Sequence, residues 1–262
     1  FIAVGCNILI IASALWVGRL AHKKTAPDDA KQAEAKISTA SIITEGARLV
    51  FRSNYLVSIM GIVAFYEIVS TIMDYQFTQG VLDYAAAQKW ADGDRIAFFG
   101  KVFGVTNLTA LFVQLFLTGL IMRKLGVGVA LLVLPVIAFM GSVGFMVVPF
   151  LYTAAFLSVA DNGFNYSINQ SAKEALYVPT EQKIKYRAKG FIDIFVQRAA
   201  KTVGVAFNLI VPPLIGPGSS GLRYLSLASL SMLSVWIFLA LRAGRGFNRL
   251  TEAPVSERKS SR

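Results

Sequence analysis

Seven stretches of roughly 20 apolar residues, each enough to cross the hydrocarbon core of a bilayer as a helix, dominate this chain. They cover residues 1–20, 54–77, 96–122, 127–148, 150–172, 191–215 and 222–241. All are rich in Leu, Val, Ala, Phe and Gly and lack the alternation of a strand, so helices are expected. With 55% apolar residues and a mean hydropathy of +0.57, the chain reads as an all-α, polytopic integral membrane protein with seven transmembrane helices.

The net charge of +11 would suggest nucleic acid in a soluble protein, but its placement points to the bilayer. Most Lys and Arg fall in the connection after the first run, the turn after the third, the connection after the fifth and the carboxyl-terminal tail. The other connections hold only Lys89, Arg95 and Arg223. Positive residues favour the cytoplasmic side, so the basic connections and the carboxyl terminus are expected inside and the amino terminus outside, with no nucleic-acid partner. Phe1 is not an initiator Met, and the first run lacks the basic n-region and cleavage site of a signal peptide. The expectation is therefore the carboxyl-terminal part of a longer protein, with a complete seven-span, receptor-like protein as the alternative.

Single Cys6 forms no internal disulfide, and one His makes no metal cluster. No H-E-x-x-H, Gly-x-Ser-x-Gly or P-loop is present, so neither an enzyme nor a cofactor is expected.

Residues 1–20 read as the last span of a missing amino-terminal half and 21–53 as a cytoplasmic linker. Within that linker Ile43, Ala47, Val50 and Phe51 are expected on one face of an amphipathic helix lying on the membrane surface. Residues 54–241 read as a six-helix bundle and 242–262 as a basic cytoplasmic tail. Arg123 and Lys124 are expected to form a tight hairpin turn, and Gly100, Gly104, Gly141, Gly144 and Gly204 to permit close helix packing. Pro212 and Pro213 are expected to break the sixth run, with GPGSSG forming the next turn. A linker followed by six spans suits a transporter built of two six-helix halves, with substrate held at the midplane between them.

Charges inside the spans are expensive and mark function by default, at about 2.5–3.5 kcal/mol each at mid-helix on insertion scales. Lys201 and Arg198 lie three residues apart in the sixth run, within about 60° of each other. They read as contacts for an anionic substrate, or as partners of Asp161. Glu67, with Thr71 and Asp74 continuing its face, lines a cavity or pairs with those cations. Asp161, Asn165 and Asn169 form a polar stripe that lines a cavity or bonds helix to helix. Lys101 is close enough to the outer surface to snorkel. Tyr66, Phe164 and Tyr166 are read chiefly as core or interface aromatics, with adenine stacking as the functional alternative.

The segment SAKEALYVP followed by KYRAKGFIDIFVQRAAK resembles the ATP/ADP antiporter family of plastids and bacteria. The match lies in Ser171, Lys173, Glu174, Tyr177, Val178, Pro179, Lys189, Ile192 and Asp193. The resemblance implies a fold related to the major facilitators, of which residues 54–241 would be the carboxyl-terminal half-bundle. It also implies nucleotide exchange, with Glu67 and Lys201 among the charges used for transport. The chain departs from plastid-type members in two places: Asn169, Gln170 and Ser171 stand where those have Asp-Pro-Cys, and Arg198 stands at an uncharged position. The expectation is a nucleotide antiporter working by alternating access in a bacterial inner membrane. Its partners are nucleotide, the lipid bilayer and the amino-terminal half of the same protein. Lys201, Arg198, Glu67, Asp161 and Asn165 would contact substrate, and Lys173, Glu174, Tyr177 and Pro179 would shape an inner gate. A carrier of another organic anion and a non-transporting membrane scaffold or sensor are the alternatives.

Overall fold

A computed structural model describes residues 39–215 and 219–252. The expectations for the first run, the charged first part of the linker, the first half of the GPGSSG turn and the end of the tail fall outside those residues; Ser219, Ser220 and Gly221, expected in that turn, instead open the last helix. Every element among the described residues is helical. They are α1 (Thr39–Arg52), α2 (Asn54–Ala87), α3 (Asp92–Lys124) and α4 (Gly126–Val147), then α5, which starts at Leu151–Phe164 and continues to Leu176. They continue with α6, from Gln182–Phe191 through to Ile215, and α7 (Ser219–Glu252).

Three of these helices carry a wide turn in which the backbone bonds to the fifth residue back instead of the fourth: Val113–Thr118 in α3, Asn165–Asn169 in α5 and Ile192–Val196 in α6. Such a turn takes in one extra residue, so every position after it is shifted by one from plain helical spacing.

Five of the helices (α2, α3, α4, α6 and α7) are long and apolar enough to cross a membrane, and the chain is an integral membrane protein. α5 falls short in hydropathy because Asp161, Asn162, Asn165, Asn169 and Gln170 interrupt it.

α2 is the hub. Its most apolar stretch is 61% buried, against 17% for α3 and for α6, and it packs on α7, α6 and α5. Ile59, Ile62, Ile72 and Met73 are fully enclosed. α7 crosses α4 where Gly128 meets Gly244: a Cβ on Gly244 would come 2.9 Å from the Gly128 Cα. Small residues at such a crossing let backbones approach, as membrane helices require.

Several boundaries differ from those expected. Arg123 and Lys124 finish α3, and the hairpin turn falls one step later at Leu125 and Gly126, where Gly126 takes a φ of +83° that a side chain would resist. Pro212 and Pro213 do not break the sixth run. They lie in the last turn of α6, where the lost amides cost only two carbonyl partners, and the helix runs on to Ile215. Gly141 and Gly204 sit at tight contacts, but Gly100, Gly104 and Gly144 meet no side chain or backbone that would crowd a Cβ among the described residues.

Three of the four residues expected on one face of α1 share it, and the fourth does not. Ile43, Ala47 and Val50 pack into the core, whereas Phe51 is 67% exposed, since it falls about 100° round from Val50. A Cβ on Gly46 would stand 2.5 Å from the Arg187 carbonyl oxygen, and Glu45 pairs with Arg187, so α1 is docked on the start of α6.

Candidate functional site

The polar side chains of α2 gather on one side because Glu67, Ser70, Thr71 and Asp74 recur at helical spacing. α6 offers Gln197 and Lys201, one turn apart, opposite them. α5 supplies Asn162, Asn165 and Tyr166. Between the three helices lies a cavity of about 380 Å³.

Glu67 is its pivot, with a side chain only 4% exposed. The Gln197 side-chain amide donates to Glu67 Oε1 at 2.5 Å, and Lys201 Nζ lies 3.7 Å from Glu67 Oε2. A carboxylate held by an amide and an ammonium on the neighbouring helix is what lets a charge persist there. Lys201 itself is 63% exposed towards the cavity mouth, so it can meet both Glu67 and a solute. Gly204, three residues on, makes the approach possible: a Cβ there would come 2.8 Å from Thr71 Cβ and 3.1 Å from the Ile68 carbonyl oxygen. The same contact is tied by the Asn208 amide, which donates to the Thr71 carbonyl at 3.0 Å.

Asp161 lies beneath the cavity, 2% exposed, and accepts a 2.5 Å hydrogen bond from the Ser70 hydroxyl. It pairs with neither Lys201 nor Arg198. Asn162 donates to Asp74 at 3.4 Å. The wide turn at Asn165–Asn169 splits the expected stripe: Asn165 lines the cavity, while Asn169 is fully buried and donates to Asn165 at 2.9 Å. Tyr66 and Tyr166 line the cavity and Phe164 does not. Arg198 is exposed and does not line it. Lys101 is exposed on α3, well away from it.

A second, smaller cavity of about 160 Å³ lies towards the α5–α6 connection. Here Lys189 meets both carboxylate oxygens of Glu174, at 2.7 and 2.8 Å, and Tyr177 and Asp193 line the wall. Tyr177 is 3% exposed. Burial pushes its phenol well above the ordinary tyrosine range, with the Asp193 and Glu174 carboxylates adding to the effect. Pro179 is half-buried in the turn and lines neither cavity. Gln170, Lys173 and Gln197 line both cavities and so form the partition between them.

The structure thus brings Glu67, Lys201 and Asn165 to one cavity, sets Asp161 below it and leaves Arg198 outside. Sequence reasoning missed Ser70, Gln197 and the place of Lys173. Ser70 was three residues from Glu67 and Gln197 four from Lys201, each on the same helical face as its neighbour. No group of three His, Cys, Asp or Glu able to hold a metal occurs among the described residues.

These features define a class: an all-helical integral membrane protein with a charged cavity enclosed by apolar helices. The chain belongs to the TLC ATP/ADP transporter family, whose model matches residues 1–247. It is similar to ADP,ATP carrier protein 2, chloroplastic, of Arabidopsis thaliana, at 21% identity over 281 residues, covering 100% of this chain and 44% of the relative. It is also similar to ADP,ATP carrier protein 1 of Chlamydia trachomatis, at 22% identity over 96% of this chain and 51% of the relative. A third relative, ADP,ATP carrier protein 3 of Rickettsia conorii, is 21% identical over 85% of this chain and 47% of its own length. The chain spans about half the length of these curated relatives. No solved structure matches it.

Proposed function

We propose that this chain is the carboxyl-terminal half of a nucleotide carrier that exchanges ATP- and ADP-type substrates by alternating access. In this reading α2 to α7 cross the membrane as the second six-helix half of a major-facilitator-type fold, residues 1–20 add a seventh span, and 21–53 form the linker. α5 crosses despite its polar stripe, because that stripe faces the cavity and neighbouring helices. The carboxyl terminus is cytoplasmic, the membrane is a bacterial inner membrane, and the missing amino-terminal half closes the cavity from the other side.

The observation that carries the reading is the Gln197–Glu67–Lys201 group at the wall of a cavity large enough for part of a nucleotide. A carboxylate within an apolar helix is costly even when partnered, and such residues mark function by default. Glu67 holds Lys201 in place while the site is empty, and a substrate phosphate competes for the same ammonium. Asn165 offers a polar side chain at the wall, Asp161 fixes α5 to α2 through Ser70, and Arg198, being exposed, takes part only from the side where the other half would sit. Glu174, Lys173, Tyr177 and Pro179 shape the inner end of the path.

The test is counter-exchange. The whole gene product is expressed in intact bacterial cells preloaded with unlabelled nucleotide, and uptake of radiolabelled ATP and ADP is followed alongside Lys201→Ala. Saturable exchange that the variant loses is the expected result. No uptake from protein demonstrably in the membrane would overturn the reading. A second substrate class, another organic anion, is favoured by Gln170, which lines both cavities where plastid-type members carry Pro. Uptake uninhibited by nucleotides would identify it.

A further inference from the structure

Lys173 has an environment unlike that of the other cations around the two cavities. Lys201 is matched by Glu67 and Lys189 by Glu174. Lys173 sits in the partition between the cavities with its ammonium 4.8 Å from the centre of the Tyr66 ring. Among the described residues it makes no ion pair and no hydrogen bond. Glu67, Asp161, Glu174 and Asp193 act on it only from beyond ion-pair range. An ammonium over an aromatic face is held by the ring quadrupole, which is weaker than a charge-assisted hydrogen bond to an anionic oxygen. Tyr66 is a firm seat for it, since it is 5% exposed and meets Trp236 edge-on at 5.7 Å.

We propose that Lys173 binds the phosphate chain of the substrate, taking a phosphoryl oxygen that lies between the two cavities. Rather than serving only as a gate element, it supplies a positive charge that lines both cavities and makes no ion pair among the described residues. Gln170 and Gln197, which share the partition with it, present side-chain amides beside that oxygen. Lys201 and Lys173 then act differently. Lys201 shares its ammonium between Glu67 and substrate, whereas Lys173 gives up only a ring face and is available from the first encounter. A nucleotide with its base in the larger cavity would present its phosphate chain to Lys173, which lines both cavities. Substrates with longer phosphate chains should therefore depend on it more.

This inference rests on the nucleotide-carrier reading, and two measurements separate the two. The first is the KM of uptake of ATP, ADP and AMP by the whole gene product, for the wild type, K173Q and K173R. The expected result is a rise of tenfold or more in the KM for ATP in K173Q, a smaller rise for AMP, and recovery of most of the loss in K173R. An unchanged KM for ATP, or an equal fall in maximal rate for all three nucleotides, would overturn the assignment, since a merely structural lysine would act on all substrates alike. The second is amine labelling of Lys173 in the wild-type protein, read by mass spectrometry, with and without inorganic pyrophosphate. Protection by pyrophosphate supports the phosphate site whichever nucleotide or other phosphorylated anion is carried. Undiminished labelling at saturating pyrophosphate sinks it. If the wild type takes up no nucleotide while pyrophosphate still protects Lys173, the carrier reading fails and the phosphate site stands.

Discussion

Lys189 grips both carboxylate oxygens of Glu174, at 2.7 and 2.8 Å, across the connection between α5 and α6. Both side chains line the smaller cavity, and they are 32% and 44% exposed. Water screens such a pair, so its contribution to stability is small, about 0.2–1 kcal/mol. Glu174→Ala should therefore leave the unfolding temperature in detergent almost unchanged. It should instead raise the rate at which a cysteine placed at Gln170 reacts with a thiol reagent added from the cytoplasmic side. The charge swap Glu174→Lys with Lys189→Glu should return that rate towards the starting value. Equal labelling in all forms would mean that the pair does not hold the end shut.

Gly204 sets how close α6 comes to α2. A Cβ there meets both Thr71 Cβ and a backbone carbonyl, and the carbonyl cannot swing aside. Gly204→Ala is expected to destabilise by about 1–3 kcal/mol, as overpacking usually does, and to lengthen the Gln197–Glu67 contact. Thermal unfolding in detergent measures the first effect, and a weakened response to Gln197→Leu on the Gly204→Ala background measures the second. Gly100→Ala, on an open face, is the control and should be neutral.

The two partners of Glu67 are unequal. Gln197 makes a short hydrogen bond to a nearly buried carboxylate, of a kind worth about 1.5–3 kcal/mol, while the Lys201 contact is longer and its side chain is well exposed. In double-mutant cycles with Glu67→Gln, read by unfolding free energy, the coupling to Gln197→Leu should exceed that to Lys201→Ala, which should stay below about 1 kcal/mol. The order reverses for transport, where Lys201→Ala should do the greater damage. A larger stability coupling to Lys201 would contradict the geometry.

Docking of α1 is tested at Gly46, whose Cβ would collide with the Arg187 carbonyl oxygen and Phe191 Cβ. Gly46→Leu should lift α1 from the start of α6 and raise amide hydrogen exchange over residues 43–52. Exchange in the core of α2 should be unchanged.

Much of the architecture was legible in the sequence because a bilayer imposes length and apolarity on whatever crosses it. The runs at 54–77, 96–122, 191–215 and 222–241 each fall within a helix and that at 127–148 outruns α4 by one residue, though α2 and α7 extend beyond their apolar runs. The cavity wall on α2 was legible too, since Glu67, Thr71 and Asp74 obey plain helical spacing. Arg198 drew attention by its charge and lies outside, whereas uncharged Gln197 beside it makes the bond to Glu67. Lys173 looked like a loop residue because the apolar run ends at Ala172, yet α5 continues to Leu176 and turns it inwards. Phe51 looked inward because a four-residue step from Ala47 ignores where the neighbouring helix stands.

The wide turns at Asn165–Asn169 and Ile192–Val196 carry one residue more than an α-helical path requires. Each is thus a register device: five residues in the wide turn sweep about the arc that four sweep in an α-helix, so one residue can be lost there without turning the rest of the helix. Lys173 would keep its place over Tyr66, and Gln197 and Lys201 theirs against Glu67, whereas the same deletion in a regular stretch would rotate everything after it by about 100°. One-residue changes of length at these two points are therefore ones that related chains could accept while keeping the same cavity-facing side chains.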